Sequence, residues 1–592
     1  MPRAAGGRFT WRVALLGLVL VLGGAGIVAR LAYIQVLHHD RYERLAQEEH
    51  FDKEEIRSTR GAILDRNGFP LATSLDVFDL YIDRRAWVQT PYVAQDVANK
   101  LVQYLSTQPS AVAPGVPLNS DQLYNSFTNP NADPIQLIAS GLEYNIGHDI
   151  EGLGLIGVTL AGANKRFYPE GDIGSALLGF LGRDHKGLAG LESDLDSLLS
   201  GTPGALYFER SGAGQPIAFG QNRIEPGVPG SDVRLTIDRY IQRLVENELD
   251  FQLKAHQASG GSIVVMDPKT GAILGMASRP SFKLSELSLD APDLSLYKNR
   301  AVTDLYEPGS VIKTLTMATA IDLGLVTPGT TYYDAGSVDK GGYTFKNWDF
   351  SANGIQTMTQ LLQKSLNTGA IWVSDLIGAT KLYASFARFG FGQSTRSGLG
   401  GESEGLVRTN KEDGWYPSDL ATNSYGQGMA ATPLQVITAI SSIINGGKLM
   451  RPYIVSEVDG PEGRRTYDPV VVRETVSPET SATMVEMMHE VVDGVPGHRA
   501  QVKGYSVGGK TGTTLVSIPT GYALDSTIAS FIGFAPVEDP AFIMLVKIDQ
   551  PQDDPLGGVV AAPVFGKLAP QILAYLNIAP SNSQLALTGG TR

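Results

Sequence analysis

Ser310 and Lys313 place a weak nucleophile and an amine three residues apart. They follow the turn signal Pro308-Gly309. They also open the apolar run Val311, Ile312, Leu315, Met317, Ala318 and Ile321, which predicts a helix buried on most of its circumference. Three residues of helix turn the chain through about 300°, so the two side chains share one face. The amine can then take the hydroxyl proton, while the helix amino terminus offers unpaired N–H groups to a developing oxyanion. Spacing alone carries little weight, because Ser295-Leu296-Tyr297-Lys298 repeats it with no turn before it and no apolar helix after it.

What distinguishes the Ser310 copy is its company. Ser365-Leu366-Asn367 supplies S-x-N, and Lys510-Thr511-Gly512-Thr513 supplies K-T-G on an expected strand. Two rivals exist. Ser351-Ala352-Asn353 is a second S-x-N, and Lys269-Thr270-Gly271 is a second K-T-G that reads as a tight turn between two strands. In this order, S-x-x-K, S-x-N and K-T-G form the signature of penicillin-recognising serine acyltransferases.

The chain resembles the class B penicillin-binding proteins. Arg60 to Gly68, Tyr306 to Ser310, Ser424-Tyr425-Gly426-Gln427-Gly428 and Thr432-Pro433-Leu434-Gln435 carry the resemblance, and Glu307 before Pro308 resembles the septal, FtsI-type branch. Lys364, Gly369 and Ala370 around Ser365 fit the family context, although Leu366 replaces a serine common there.

The resemblance implies roles. Ser310 forms the acyl-enzyme, Lys313 is the base, Ser365 relays the proton to the leaving amine, and Asn367 holds a substrate amide and fixes Lys313. Backbone N–H groups of Ser310 and Thr513 form the oxyanion hole, and Gly512 admits the ligand at close range. Lys510 with Thr511 and Thr513 suits a terminal carboxylate, by resemblance that of the D-alanyl-D-alanine end of a peptidoglycan stem peptide, which β-lactams mimic. A free lysine has a pKa near ~10.4, and lowering it towards ~7 disfavours the ammonium by roughly 4 to 5 kcal/mol. Burial and a second cation, Lys510, can do that. No metal or cofactor is called for. Water in place of an acceptor amine gives a D,D-carboxypeptidase or β-lactamase, and a β-lactam sensor or division scaffold is the non-enzymatic alternative.

Composition narrows the field. In 592 residues, 43% are hydrophobic and 18% charged, a globular balance with ample core. The net charge of −13 argues against nucleic-acid binding, and zero cysteines exclude disulfides and thiol catalysis. The eight histidines lack metal-ligand spacing.

The elements that must position the motifs follow in order. Val13 to Ala29 is free of charge, Arg3, Arg8 and Arg12 precede it, and apolar character resumes after Arg30. Ile27-Val28-Ala29 is a poor cleavage site, so a retained anchor over 13–37 is expected, with residues 1–12 cytoplasmic and the remainder outside. A non-catalytic pedestal of mixed α/β structure is expected over 38–227, with a hairpin around Asn67-Gly68 and a mobile loop over Pro109 to Asn119. By resemblance it spaces the active site from the membrane and meets division proteins and a polytopic glycan polymerase. An α+β catalytic domain is expected over 228–578, a central antiparallel sheet flanked by helices with an all-helical subdomain. Asp238, Thr432 and Ser477 are expected helix caps, and 579–592 is expected to be a disordered tail.

Overall fold

The computed structural model describes residues 7–42, 51–56, 58–87, 90–108, 112, 116–209, 222–287, 293–519 and 521–580. Most of the expected loop over Pro109 to Asn119, and the expected tail beyond Pro580, lie outside the described residues. The chain forms two compact units, one from 1–59 with 201–229, the other from 60–200 with 230–592.

In the first unit a helix runs over Gly7–Ala32 and continues through a wider turn at Tyr33–Leu37. It starts earlier than the uncharged stretch and takes in Arg8 and Arg12. Trp11–Leu37 is apolar, has no residue buried among the described residues, and at 27 residues rises about 40 Å, more than the roughly 30 Å of bilayer hydrocarbon. The same unit holds a three-stranded antiparallel sheet of Phe51–Ile56, Gly204–Glu209 and Asn222–Glu225.

The second unit contains both the greater part of the pedestal and the whole K-T-G region. Its catalytic sheet is antiparallel throughout, in the order Ile273–Arg279, Gly260–Met266, Phe542–Asp549, Gly521–Ala535, Gly508–Ile518. Successive side chains on a strand point to opposite faces, and here both faces are covered. Ile263 and Val265 pack with Ile241, Val245 and Phe565 from the helices Arg239–Ala255 and Ala562–Tyr575. Val264 and Met266 pack on the other side with Val311, Leu315 and Ile437. That second layer includes the helices Lys313–Asp322, Met358–Lys364, Asn367–Ile377, Pro433–Ser442 and Pro478–Val492. Asp238, Thr432 and Ser477 each accept backbone N–H bonds in the first helical turn, as capping requires.

The expected pedestal end near 227 falls in the loop between the strands Asn222–Glu225 and Asp232–Leu235, yet pairing reaches across it. Asp232–Leu235 pairs in parallel with Ile63–Leu64 and antiparallel with Val455–Gly460, so one seven-stranded sheet joins pedestal strands to strands of the catalytic region. The Asn67-Gly68 hairpin is present, with Ile63 opposite Ala72 and the Asp65 carboxylate accepting the N–H groups of Asn67 and Phe69. Beside it, fully buried Glu192 bridges Arg60 and Arg166, each at 2.7 Å.

Candidate active site

The turn that carries Ser310 is built against the K-T-G strand. Gly309 has φ +63°, and a Cβ there would stand 3.1 Å from the Thr513 carbonyl oxygen. On its other side the Gly309 N–H donates to the Gly426 oxygen at 2.9 Å. Gly426, at φ +83°, is packed so closely that a Cβ would meet the Gly309 oxygen at 2.2 Å. Only glycine satisfies both the left-handed backbone and the contact. Gly512 serves the same packing, since its missing side chain leaves room for Ser530 Oγ and the Pro308 oxygen, which are protein atoms rather than ligand.

Ser310 lies in a 3₁₀ turn, Gly309–Ile312, and the α-helix begins only at Lys313. The sequence reading put the serine at the start of an α-helix. The tighter turn brings positions i and i+3 nearly into register, so Ser310 and Lys313 still share a face. Lys313 is then carried into the protein on a helix whose residues 313–320 are all buried.

Ser365 ends the helix Met358–Lys364 in the left-handed conformation, φ +55°, unusual for a residue with a side chain. This conformation aims both its oxygens at one amine. Lys313 Nζ donates to the Ser365 carbonyl at 2.6 Å, to Asn367 Oδ1 at 2.7 Å and to Ser365 Oγ at 3.2 Å. The Asn367 amide is oriented by its Nδ2, which donates to the Lys346 oxygen at 2.9 Å. From the opposite wall, Lys510 Nζ reaches the same Ser365 hydroxyl at 2.9 Å and also contacts Thr511. One hydroxyl therefore stands between two lysines from distant parts of the chain.

Both lysines are within 1% of fully buried. Burial, and then the neighbouring Lys510 charge, hold the Lys313 ammonium well below the usual lysine value. Burial alone pushes Lys510 down to about 7. A neutral Lys313 keeps two N–H bonds. The Ser365 carbonyl and Asn367 Oδ1 can only accept, so they take both, and the lone pair is left for a hydroxyl. The Tyr425 ring covers this amine, its centroid 5.9 Å from Nζ.

The rivals are elsewhere. Ser295 lies within the 3₁₀ turn Leu294–Tyr297, which has no buried residue and ends at Lys298, and Lys269 pairs with Asp539 on the surface. Ser351-Ala352-Asn353 does organise the site, though indirectly. Asn353, Asn347, Thr368 and the Gly336 N–H all donate to the buried Asp334 carboxylate. Burial pushes that carboxyl up, but the donors, Thr368 foremost, outweigh it and hold it below the usual range. Thr368 follows Asn367 and Asn347 follows Lys346, so this knot fixes the second motif. Sequence reasoning missed Asp334, which carries no motif, and Tyr425 was visible only as part of a resembling segment.

A buried lysine pair sharing one serine hydroxyl, beside a serine turn seated on a strand, defines an active-serine acyltransferase of the penicillin-recognising class. Residues 261–569 match the penicillin-binding protein transpeptidase domain, and residues 55–235 match the penicillin-binding protein dimerisation domain. The chain belongs to the penicillin-binding protein family. It is 33% identical to stage V sporulation protein D of Bacillus subtilis over 97% of this chain and 86% of the relative. It is 31% identical to the peptidoglycan D,D-transpeptidase FtsI of Escherichia coli over 98% of this chain and 94% of the relative. Among solved structures, penicillin-binding protein 3 of Mycobacterium tuberculosis complexed with aztreonam superposes with a TM-score of 0.67 at 27% identity, over 90% of this chain and 99% of that one.

Proposed function

We propose that this chain is a membrane-anchored peptidoglycan D,D-transpeptidase that cross-links stem peptides through an ester on Ser310 and is acylated there by β-lactams. The observation that carries this reading is the Ser365 hydroxyl held 3.2 Å from Lys313 Nζ and 2.9 Å from Lys510 Nζ.

Ser310 Oγ attacks the carbonyl of the penultimate D-alanine while neutral Lys313 takes its proton. The tetrahedral oxyanion rests on the backbone N–H groups of Ser310 and Thr513, donors commonly worth ~2.7 to 4 kcal/mol each. As the intermediate collapses, the C–N bond breaks, and the proton passes from Lys313 through Ser365 to the departing D-alanine amine. Lys510, Thr511 and Thr513 hold the terminal carboxylate, and Asn367 holds a backbone amide of the donor. An amine from a neighbouring stem peptide then attacks the ester by the same path in reverse.

The helix ending at Leu37 anchors the chain, with the arginines at its amino-terminal end on the cytoplasmic side and the catalytic domain outside. Its partners are a polytopic glycan polymerase and division proteins, met through the span and the pedestal. Glu307 in the Tyr-Glu-Pro-Gly-Ser turn favours the septal assignment.

The test is amine-dependent cross-linking of a stem-peptide thioester by the full chain in detergent. Product that appears with wild type and not with Ser310→Ala supports the reading. Hydrolysis of the thioester at the same rate with and without acceptor amine would assign a carboxypeptidase instead.

A further inference from the structure

Beyond its K-T-G residues, the Gly508–Ile518 strand continues with Gly521–Ala535 as a two-stranded extension, Ser517 opposite Tyr522, after an irregularity between Leu515 and Val516. The described residues of this tip are mostly exposed and none is buried, with Leu524 84% exposed and Ile518 40%. A hairpin without an apolar face of its own is marginally stable in water, so few contacts fix its direction.

Among the described residues of 516–526, one side-chain hydrogen bond ties the tip down. The Tyr522 hydroxyl donates to Glu307 at 3.0 Å from Oε1 and 3.1 Å from Oε2. The same carboxylate accepts the Gly428 N–H at 3.1 Å. Glu307 is three residues before Ser310. Gly428 is two residues after Gly426, which clamps Gly309, and three after Tyr425, which covers Lys313. The carboxylate therefore meets three segments that border the site.

We propose that Glu307 is a positioning residue that bolts the outer end of the K-T-G strand, through Tyr522, and the 425–428 loop, through Gly428, onto the turn carrying Ser310. This sets the register between the carboxylate-gripping strand and the nucleophile. It rests on the assignment of Ser310 as the acylated residue. The geometry separates binding from chemistry. Gly309, the residue before Ser310, is held by Gly426 whether or not Tyr522 is bonded, whereas the grip of the strand on a substrate carboxylate depends on the bolt. Burial raises the Glu307 carboxyl above its ordinary value, and the Gly428 and Tyr522 donors act against that rise.

The experiment measures acylation of the full chain in detergent by benzylpenicillin, resolved into the pre-acylation dissociation constant and the acylation rate constant. The variants are Glu307→Ala, Glu307→Gln, Tyr522→Phe and the Ala/Phe double variant. Losing a hydrogen bond to a charged group corresponds to about tenfold. The expected result is a dissociation constant weakened about tenfold in Tyr522→Phe and at least as much in Glu307→Ala, with acylation rate constants within about twofold of wild type. Glu307→Gln, which keeps an acceptor oxygen, stays within about threefold. The double variant is no worse than Glu307→Ala, because both substitutions remove one shared interaction.

Amide hydrogen exchange across 515–525 rises in Glu307→Ala and in Tyr522→Phe, a change a general loss of stability would not confine there. Multiplying effects in the double variant, or Tyr522→Phe indistinguishable from wild type in binding and exchange, overturns the proposal. Tyr522→Phe removes one oxygen and keeps the test decisive should Glu307→Ala fail to fold. Absence of acylation in wild type would instead refute the Ser310 assignment.

Discussion

Replacing Lys510 with glutamine tests whether the K-T-G lysine tunes the base as well as binding substrate. Ser365 Oγ lies 3.2 Å from one amine and 2.9 Å from the other, so the two nitrogens are at most about 6 Å apart. Two unit charges at that separation repel by about 3 kcal/mol at an effective dielectric of about 20. The pair titrates as a unit. Lys510, pushed down to about 7, takes the first proton, and the charge it then carries opposes a second on Lys313. The reactive form is thus cationic Lys510 with neutral Lys313. Acylation efficiency of the free enzyme should follow a bell, its acid limb set by Lys313 and its alkaline fall near pH 7 set by Lys510.

In Lys510→Gln the repulsion is gone, so Lys313 protonates more readily and the acid limb moves to higher pH. On the acid side of the profile the loss from this cause alone is about a hundredfold. The alkaline fall near pH 7 disappears with the group that caused it. Loss of the carboxylate partner lowers the whole curve besides, and the two effects separate by shape. The assay is stopped-flow acylation by a fluorescent penicillin between about pH 5 and 10. A curve lowered evenly, with both limbs where wild type has them, would refute the tuning and leave Lys510 a binding group only.

Other substitutions probe what holds the site together. Glu192→Ala strips the buried partner from Arg60 and Arg166 and should cost about 3–5 kcal/mol in denaturant unfolding of the second unit, and a change below about 1 kcal/mol would make the bridge inconsequential. Asp334→Asn turns an amide NH₂ towards donors from Asn347, Asn353 and Thr368. Stability should fall by about 2–3 kcal/mol and acylation should drop as Asn367 loses its support, so normal acylation would remove Asp334 from the account. Gly426→Ala drives a Cβ to 2.2 Å from the Gly309 oxygen and should slow acylation by more than about tenfold, while wild-type rates would show that the serine turn tolerates displacement.

The residues that carry chemistry stand out in the sequence because each is a short local pattern with a physical context. Pro308-Gly309 before an apolar run marks the Ser310 turn, and Lys510-Thr511-Gly512 marks a K-T-G strand. The helices announced by Asp238, Thr432 and Ser477 start where those caps require. What local pattern does not hold is long-range. The left-handed backbone of Ser365 depends on Lys313 and Lys510 arriving from 52 and 145 residues away. The Asp334 knot joins 334, 347, 353 and 368, of which only 353 falls in a motif, and that motif is the rival S-x-N. The parallel pairing of Asp232–Leu235 with Ile63–Leu64 crosses the boundary expected near 227 between the pedestal and the region that carries the motifs. The 3₁₀ turn at Gly309–Ile312 is a matter of packing against Thr513, which no propensity in that stretch encodes.

The most direct measurement is the site of acylation. The full chain, treated with benzylpenicillin and digested, should carry the penicilloyl mass on the single peptide containing Ser310. The adduct should be absent from Ser310→Ala and from folded Lys313→Ala. An adduct mapped to any other residue, or formed at the normal rate without Lys313, would contradict the assignment of nucleophile and base.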